Sequence, residues 1–344
     1  MKQIWWVAAG GLAGWLIIRM TGADRCRRLE APAAPMLSFT PYVAAAAPLA
    51  AVFCRRKGAA ATVAVAGGAL AAVVLPRAIK RPQPDARGPV LGILTANLLA
   101  GRASEEAVVD LVRRSAADVL FLQELTDDAV TRLKQAGLND LLPYEITDVR
   151  GHSSRGGGIY ARFPLSSGLP LTPISAAQPT ARMALPTGQS VELVCAHPHP
   201  PTPPSSRRGV AQWREELAVL PPPGDPPRVL AGDFNATLDH AQFRRLLRLG
   251  HVDAAGQTGN GLVPTWGPGG KRAVLTIDHV LLDPRCAVLE TSVHTLPGSD
   301  HRGVYARLRL PARSQRSPQE PRGHQRASSL TASSRKRSRP VWRA

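Results

Sequence analysis

Apolar positions fall into two regimes along this chain. Up to residue 75 they run in uninterrupted blocks, 4–18, 36–53 and 59–75, which are 15, 18 and 17 residues long with no charge inside. A helix rises about 1.5 Å per residue and a bilayer core is about 30 Å thick, so each block is close to the shortest helix that crosses. From residue 90 the blocks give way to short apolar runs bounded by polar turns. These alternate with amphipathic stretches such as Ala107-Val-Val-Asp-Leu-Val-Arg-Arg and Ala241-Gln-Phe-Arg-Arg-Leu-Leu-Arg-Leu. That alternation predicts an α/β domain. Residues 76–89 hold four prolines, and 76–88 reads as a linker. Beyond 311 the chain is Ser, Arg, Pro and Gln with few apolar residues, a composition that cannot bury enough surface to fold. The expected organisation is a membrane domain over 1–75, a linker over 76–88, a catalytic-type domain over 89–310 and a disordered basic tail over 311–344.

Polar residues stand where the apolar runs end. Arg228-Val-Leu-Ala runs into Gly232-Asp233-Phe234-Asn235-Ala236. In a strand Asp233 and Asn235 point the same way, because side chains alternate with period two. A carboxylate there can orient and deprotonate a water, and an amide can donate to a phosphoryl oxygen gaining charge. Leu91-Gly-Ile-Leu-Thr-Ala ends in Asn97, and Asp118-Val-Leu-Phe-Leu-Gln ends in Glu124. Thr276-Ile-Asp278-His279-Val-Leu-Leu buries a charge in an apolar run, which is costly unless the charge is paired. Gly298-Ser-Asp300-His301 opens the last strand. Each residue alone has a structural explanation as a cap or turn; five together do not.

In order and type these residues resemble the endonuclease/exonuclease/phosphatase superfamily, over about Pro89 to Leu310. The motif set is Asn97, Gln123-Glu124, His197, Gly232-Asp233-Phe234-Asn235, Asp278 and Ser299-Asp300-His301. The resemblance implies a four-layer α/β/β/α sandwich with its site at one rim, preceded here by about three transmembrane helices. It implies Mg²⁺ or Mn²⁺ held chiefly by Glu124, helped by Asn97 and Asp300, a set of hard oxygen ligands suited to Mg²⁺. It further implies that Asp233 holds the attacking water, that Asn235 and His197 contact phosphate, and that His301 faces the phosphate with Asp278 fixing its tautomer. His199 reads as a surface histidine. Two positions depart from the family pattern: Leu98-Leu99 follows Asn97 where abasic endonucleases have an acid, and Arg155-Gly-Gly-Gly158 has glycine where many members have asparagine.

Charge narrows the substrate. The formal +18 divides into 12 Lys/Arg against 3 Asp/Glu in 1–87, 9 against 1 in 313–344, and 22 against 21 between them. The catalytic-type domain is therefore nearly neutral, whereas a protein tracking a nucleic-acid backbone usually presents a basic face. Membrane layout and Ala/Arg/Pro-rich composition resemble actinobacterial membrane phosphatases, including relatives linked to teicoplanin-type resistance. The expected activity is hydrolysis of a phosphoester or pyrophosphate of a membrane lipid or lipid-linked carrier. The alternative is an anchored nuclease acting on DNA or RNA. Arg55-Arg56-Lys57 favour a cytoplasmic second loop, whereas Arg19, Arg25, Arg27 and Arg28 load the first. Resemblance to multi-pass bacterial members of the superfamily implies a cell-membrane protein with three spans and an extracellular catalytic domain. The four cysteines, 26, 54, 195 and 286, have no metal-type spacing.

Overall fold

The computed structural model describes residues 3–26, 28–149, 151, 153–172, 174–201, 207–270 and 272–313. Beyond Arg313, the tail expected over 311–344 lies outside them. Twelve strands are present among the described residues: β1 (Val90–Asn97), β2 (Val119–Gln123), β3 (Tyr144–Asp148), β4 (Gly157–Ala161), β5 (Leu165–Ser167), β6 (Thr180–Ala184), β7 (Ser190–Ala196), β8 (Arg228–Asp233), β9 (Val252–Asp253), β10 (Asp278–Leu282), β11 (Ala287–Thr295) and β12 (Arg302–Arg309). They form two mixed six-stranded sheets, ordered β11-β12-β1-β2-β4-β3 and β5-β6-β7-β8-β10-β9.

Period-two alternation explains how the layers stack. One face of each sheet sends Ile93, Val119 and Phe121, or Leu193, Val229 and Val280, into a shared core. The opposite faces bury Leu94, Leu120 and Leu122 under helices Glu105–Ser115 and Asp127–Gln135, and Leu230 and Leu281 under Arg207–Ala218 and Ala241–Arg248. The result is a four-layer sandwich, as the motif resemblance implied. Central strands β1, β2, β8 and β10 end at one rim, with Asn97 opposite Gln123 and Asp233 opposite Asp278.

The amino-terminal region differs from expectation at its second span. Ile4–Thr21 and Lys57–Ala78 are each long and apolar enough to cross a membrane. Residues 36–53 are not one helix: Glu30–Leu37 and Thr40–Phe53 meet at 74°. Pro41 has no N–H for the Leu37 carbonyl, which accepts from Thr40 Oγ1 at 2.7 Å instead. The 14 residues of Thr40–Phe53 make only about 21 Å of helix, so a third crossing exists only if the bent pair counts as one span.

These helices are docked onto the sandwich. Asp239, completely buried, receives Arg19 Nε at 2.7 Å and Arg77 Nη1 and Nη2 at 2.8 and 2.6 Å. Asp24 caps the Ala241 N–H at 2.8 Å, His240 Nε2 lies 2.7 Å from the Ala34 carbonyl, and Arg214 pairs with Glu30. Segment 76–88 is held as well: Lys80 bridges Thr258, Arg81 N–H donates to the Gln257 carbonyl, and Gln83 accepts from Val288 N–H.

Candidate active site

Glu124, Asp233 and Asn235 stand at strand ends, where the backbone turns sharply. Glu124 (φ +55°) and Asn235 (φ +49°) are left-handed, a conformation disfavoured by about 1–2 kcal/mol for residues with a Cβ. Gly232 precedes the carboxylate at φ +155°, where a Cβ would collide with the Ala196 carbonyl oxygen. Glycine lets β7 and β8 close up beneath Asp233.

One hydrogen-bond network joins the predicted residues. Asn97 Nδ2 donates to Glu124 Oε1 and to Asp233 Oδ2, both at 3.1 Å, while its Oδ1 accepts from Leu99 N–H. Glu124 Oε2 accepts from Ala100 N–H at 2.7 Å. Asp233 Oδ1 takes the Asn235 N–H at 2.8 Å, and its Oδ2 lies 3.6 Å from His301 Nε2. The other face of that imidazole is gripped by Asp278, with Nδ1 at 3.0 and 3.1 Å from its two oxygens. The buried charge seen in the 276–282 run is therefore paired. Ser299 Oγ donates to the Asn97 carbonyl and accepts from His301 N–H, tying the last loop to β1.

Burial and neighbouring charge set the proton affinities. Burial disfavours the His301 cation, but the carboxylates of Asp278, Asp233 and Asp300 outweigh it and raise His301 to about 10. Burial and the adjacent Asp278 push the Asp233 carboxyl up, against the pull of His301. Burial lowers His197, leaving it a neutral imidazole at physiological pH.

The remaining predicted residues line the same cleft, of about 580 Å³: His197, Asp300 and, against expectation of a plain surface position, His199. His199 is half-buried, its N–H held by Glu216 and its Nδ1 beside the Pro200 carbonyl. Asn235 Nδ2 donates to the Pro198 carbonyl at 3.1 Å, so part of its donor capacity serves the loop. Trp266 both lines the cleft and donates from Nε1 to Asp300 Oδ2 at 3.0 Å.

Glu124 and Asp300 fit a hard divalent cation. Asp300 Oδ1 is buried, accepts no hydrogen bond among the described residues and lies 4.0 Å from His301 Nε2, and each Glu124 oxygen accepts one hydrogen bond, so lone pairs remain. Asn97 joins the two strand-end carboxylates through Nδ2, and its Oδ1, which accepts from Leu99 N–H, keeps a second lone pair available to the same ion. Asp233, Asp278 and His301 also offer ligand atoms within 4.8 Å of one another. Because both Asp278 oxygens face one ring nitrogen, that triad is better described as an acid–base relay than as an ion cage.

The model of the Endonuclease/Exonuclease/phosphatase family matches residues 94–301. The chain belongs to this family. Solved structures with the same fold include an endonuclease/exonuclease/phosphatase from Beutenbergia cavernae, 21% identical, with TM-score 0.52 over 64% of this chain and 72% of that one. D. rerio TDP2 humanized by 14 mutations is 20% identical, with TM-score 0.51 over 64% and 98%. An AP endonuclease from Archaeoglobus fulgidus is 16% identical, with TM-score 0.51 over 63% and 98%. No curated protein matches the chain. The family is one of hydrolases that includes nucleases, phosphodiesterases and phosphatases.

Sequence reasoning did not find several residues of the site. Gln178 Oε1 accepts the His197 N–H, and Glu216 holds the backbone of Ser175 and His199. Arg155 brings an exposed cation to the cleft, and Pro35, Ser38 and Phe39 enter it from the amino-terminal helices. Gln178, Glu216 and Arg155 occupy unremarkable positions in the sequence, and only the fold brings them to the rim.

Proposed function

We propose that the protein is a membrane-anchored, divalent-metal-dependent phosphohydrolase acting on a phosphoester or pyrophosphate of a lipid or lipid-linked carrier at the outer membrane surface. One observation carries the lipid reading: the cleft holding Glu124, Asp233 and His301 is walled in part by Pro35, Ser38 and Phe39 of the apolar amino-terminal region. The near-neutral catalytic domain supports it against a nucleic-acid substrate.

In this reading Asp233, made more basic by burial, orients a water and accepts its proton as the water oxygen bonds to phosphorus and the P–O bond to the departing alcohol or phosphate breaks. His301, held as a cation between Asp233 and Asp278, offsets charge developing on the phosphoryl oxygens. His197 and Asn235 supply neutral donors. Glu124 and Asp300 would hold Mg²⁺ or Mn²⁺, which when bound neutralises phosphate charge. The loop after the first helix and the catalytic domain meet on one side, whereas the Arg55–Lys57 turn adjoins the first helix at its start, where Gly58 faces Trp6. That disposition puts the basic turn and the catalytic domain at opposite ends of the first helix, so a cytoplasmic turn goes with an outward catalytic domain.

Phosphate release from the full chain in vesicles, with polyprenyl pyrophosphate, phosphatidic acid and plasmid DNA compared, tests the reading. Lipid turnover that stops in chelator and returns with Mg²⁺ or Mn²⁺ is expected, and Glu124→Ala should abolish it. Salt-sensitive DNA cleavage without lipid turnover would establish the nuclease alternative instead.

A further inference from the structure

The cleft has a neighbour leading away from the chemistry. A second cavity of about 230 Å³ lies between helix Thr40–Phe53 and the catalytic domain. Ser38 and Leu275 line both cavities, so the two adjoin across these side chains. Pro41, Tyr42 and Ala45 carry the second one along the helix. Arg77 also touches it, but its guanidinium is bound by Asp239, which leaves no free charge there.

This wall is built rather than incidental. Trp15 Nε1 donates to Thr40 Oγ1 at 3.1 Å, Thr40 closes the bend onto the Leu37 carbonyl, and Tyr42 OH donates to the Val274 carbonyl at 2.6 Å. The last bond fixes the helix to the loop that carries Trp266 and Leu275. Within this anchored frame Phe39 remains 45% exposed and Tyr42 48% exposed. Two large rings are thus left uncovered beside cavities that start at a polar reaction centre, an arrangement suited to an amphiphile with one charged end.

We infer that Phe39 and Tyr42 determine substrate specificity. Phe39 receives the first apolar segment of a lipid phosphate whose head group lies at Asp233 and His301, and Tyr42 receives the segment beyond the junction. The chain then passes Ser38 and Leu275 and follows helix Thr40–Phe53 toward the bilayer. The inference rests on the lipid-phosphohydrolase reading and adds to it the residues that select an apolar tail.

The test compares kcat/KM for a long-chain polyprenyl phosphate with that for a short-chain, water-soluble phosphate bearing the same head group, using the full chain in phosphatidylcholine vesicles. The long-to-short ratio should fall on the order of tenfold in Phe39→Ala, through lost apolar contact. It should fall at least as far in Ser38→Trp, where the indole fills the junction, and Phe39→Leu should recover part of it. A misfolded variant lowers both rates and leaves the ratio alone. An unchanged ratio in both Phe39→Ala and Ser38→Trp, with each variant melting as the wild type does and wild-type lipid turnover intact, overturns the inference and leaves the lipid reading standing. Wild-type protein that cleaves neither lipid substrate yet cuts DNA removes both.

Discussion

Asp233 and Asp239 stand six residues apart and are almost equally buried, yet their surroundings treat them in opposite ways. Asp239 also suffers burial, but bonds from Arg77 and the charges of Arg77 and Arg19 outweigh it and hold its carboxyl below the usual range. Asp233 has Asn97, a backbone N–H, and an imidazole at 3.6 Å that is already committed to Asp278. Its carboxyl is pushed up. One acid is satisfied and fastens the amino-terminal helices to the domain; the other is kept short of charge compensation at the rim, as the proposed base requires. Burial therefore does not identify a reactive carboxylate. Lack of a committed cation does.

The sharpest way to break this contrast is Asp233→Asn. The amide keeps the shape and loses the base, so kcat/KM should fall by about 10²–10⁴. A carboxyl whose folded pKa is raised weakens the fold at neutral pH, so the same variant should melt no lower than wild type, and above it if the charge is the dominant strain. Full activity would exclude Asp233 as the base.

Asp239→Asn tests the other side. It leaves Arg19 and Arg77 buried without a counter-charge, and breaking such a group typically costs about 3–5 kcal/mol. Thermal melting of the solubilised protein should drop, and protease should cut the 76–88 segment sooner. Replacing all three residues together by Leu or Met should restore most of the loss, because no unpaired charge then remains.

These two acids also show where the sequence was legible. The sandwich was readable because short apolar runs such as β2 and β8, buried on both faces, are interleaved with amphipathic helices such as Glu105–Ser115. Asp233 was readable because its neighbours in the motif are its neighbours in space. Asp239 was not: its partners lie 220 and 162 residues away, and each looks like an ordinary surface charge. The bend at Ser38–Phe39 was masked by continuous apolarity over 36–53, and Pro41 did not single it out because Pro35 and Pro48 lie within unbroken helices. A segment read as linker lies instead against the domain, because Arg77, Arg81 and Gln83 have partners that only the fold brings near.

A smaller effect separates the relay from the base. Asp278→Asn keeps a hydrogen-bonding group beside His301 Nδ1 but removes the charge that sustains the imidazolium, so activity should fall about 10²-fold. His301→Ala should cost at least as much. If the pair acts as one unit, the double variant is no worse than the worse single, and additive losses in kcat/KM would show that the two work separately.

The smallest expected effect is the acid limb of stability. Asp239 has a folded pKa below its unfolded value of about 3.9, so its contribution is complete above that pH. It is lost as pH falls from about 4 through the folded value, because the unfolded chain binds the proton more readily. Asp233, shifted the other way, gains rather than loses on protonation and cannot produce this limb. Melting temperatures of wild type and Asp239→Asn should therefore converge as pH drops below about 4, while those of wild type and Asp233→Asn should not separate further there. Parallel curves for Asp239→Asn across that window would mean that the carboxylate is not what Arg19 and Arg77 grip, and the contrast between the two acids would fail at its structural end.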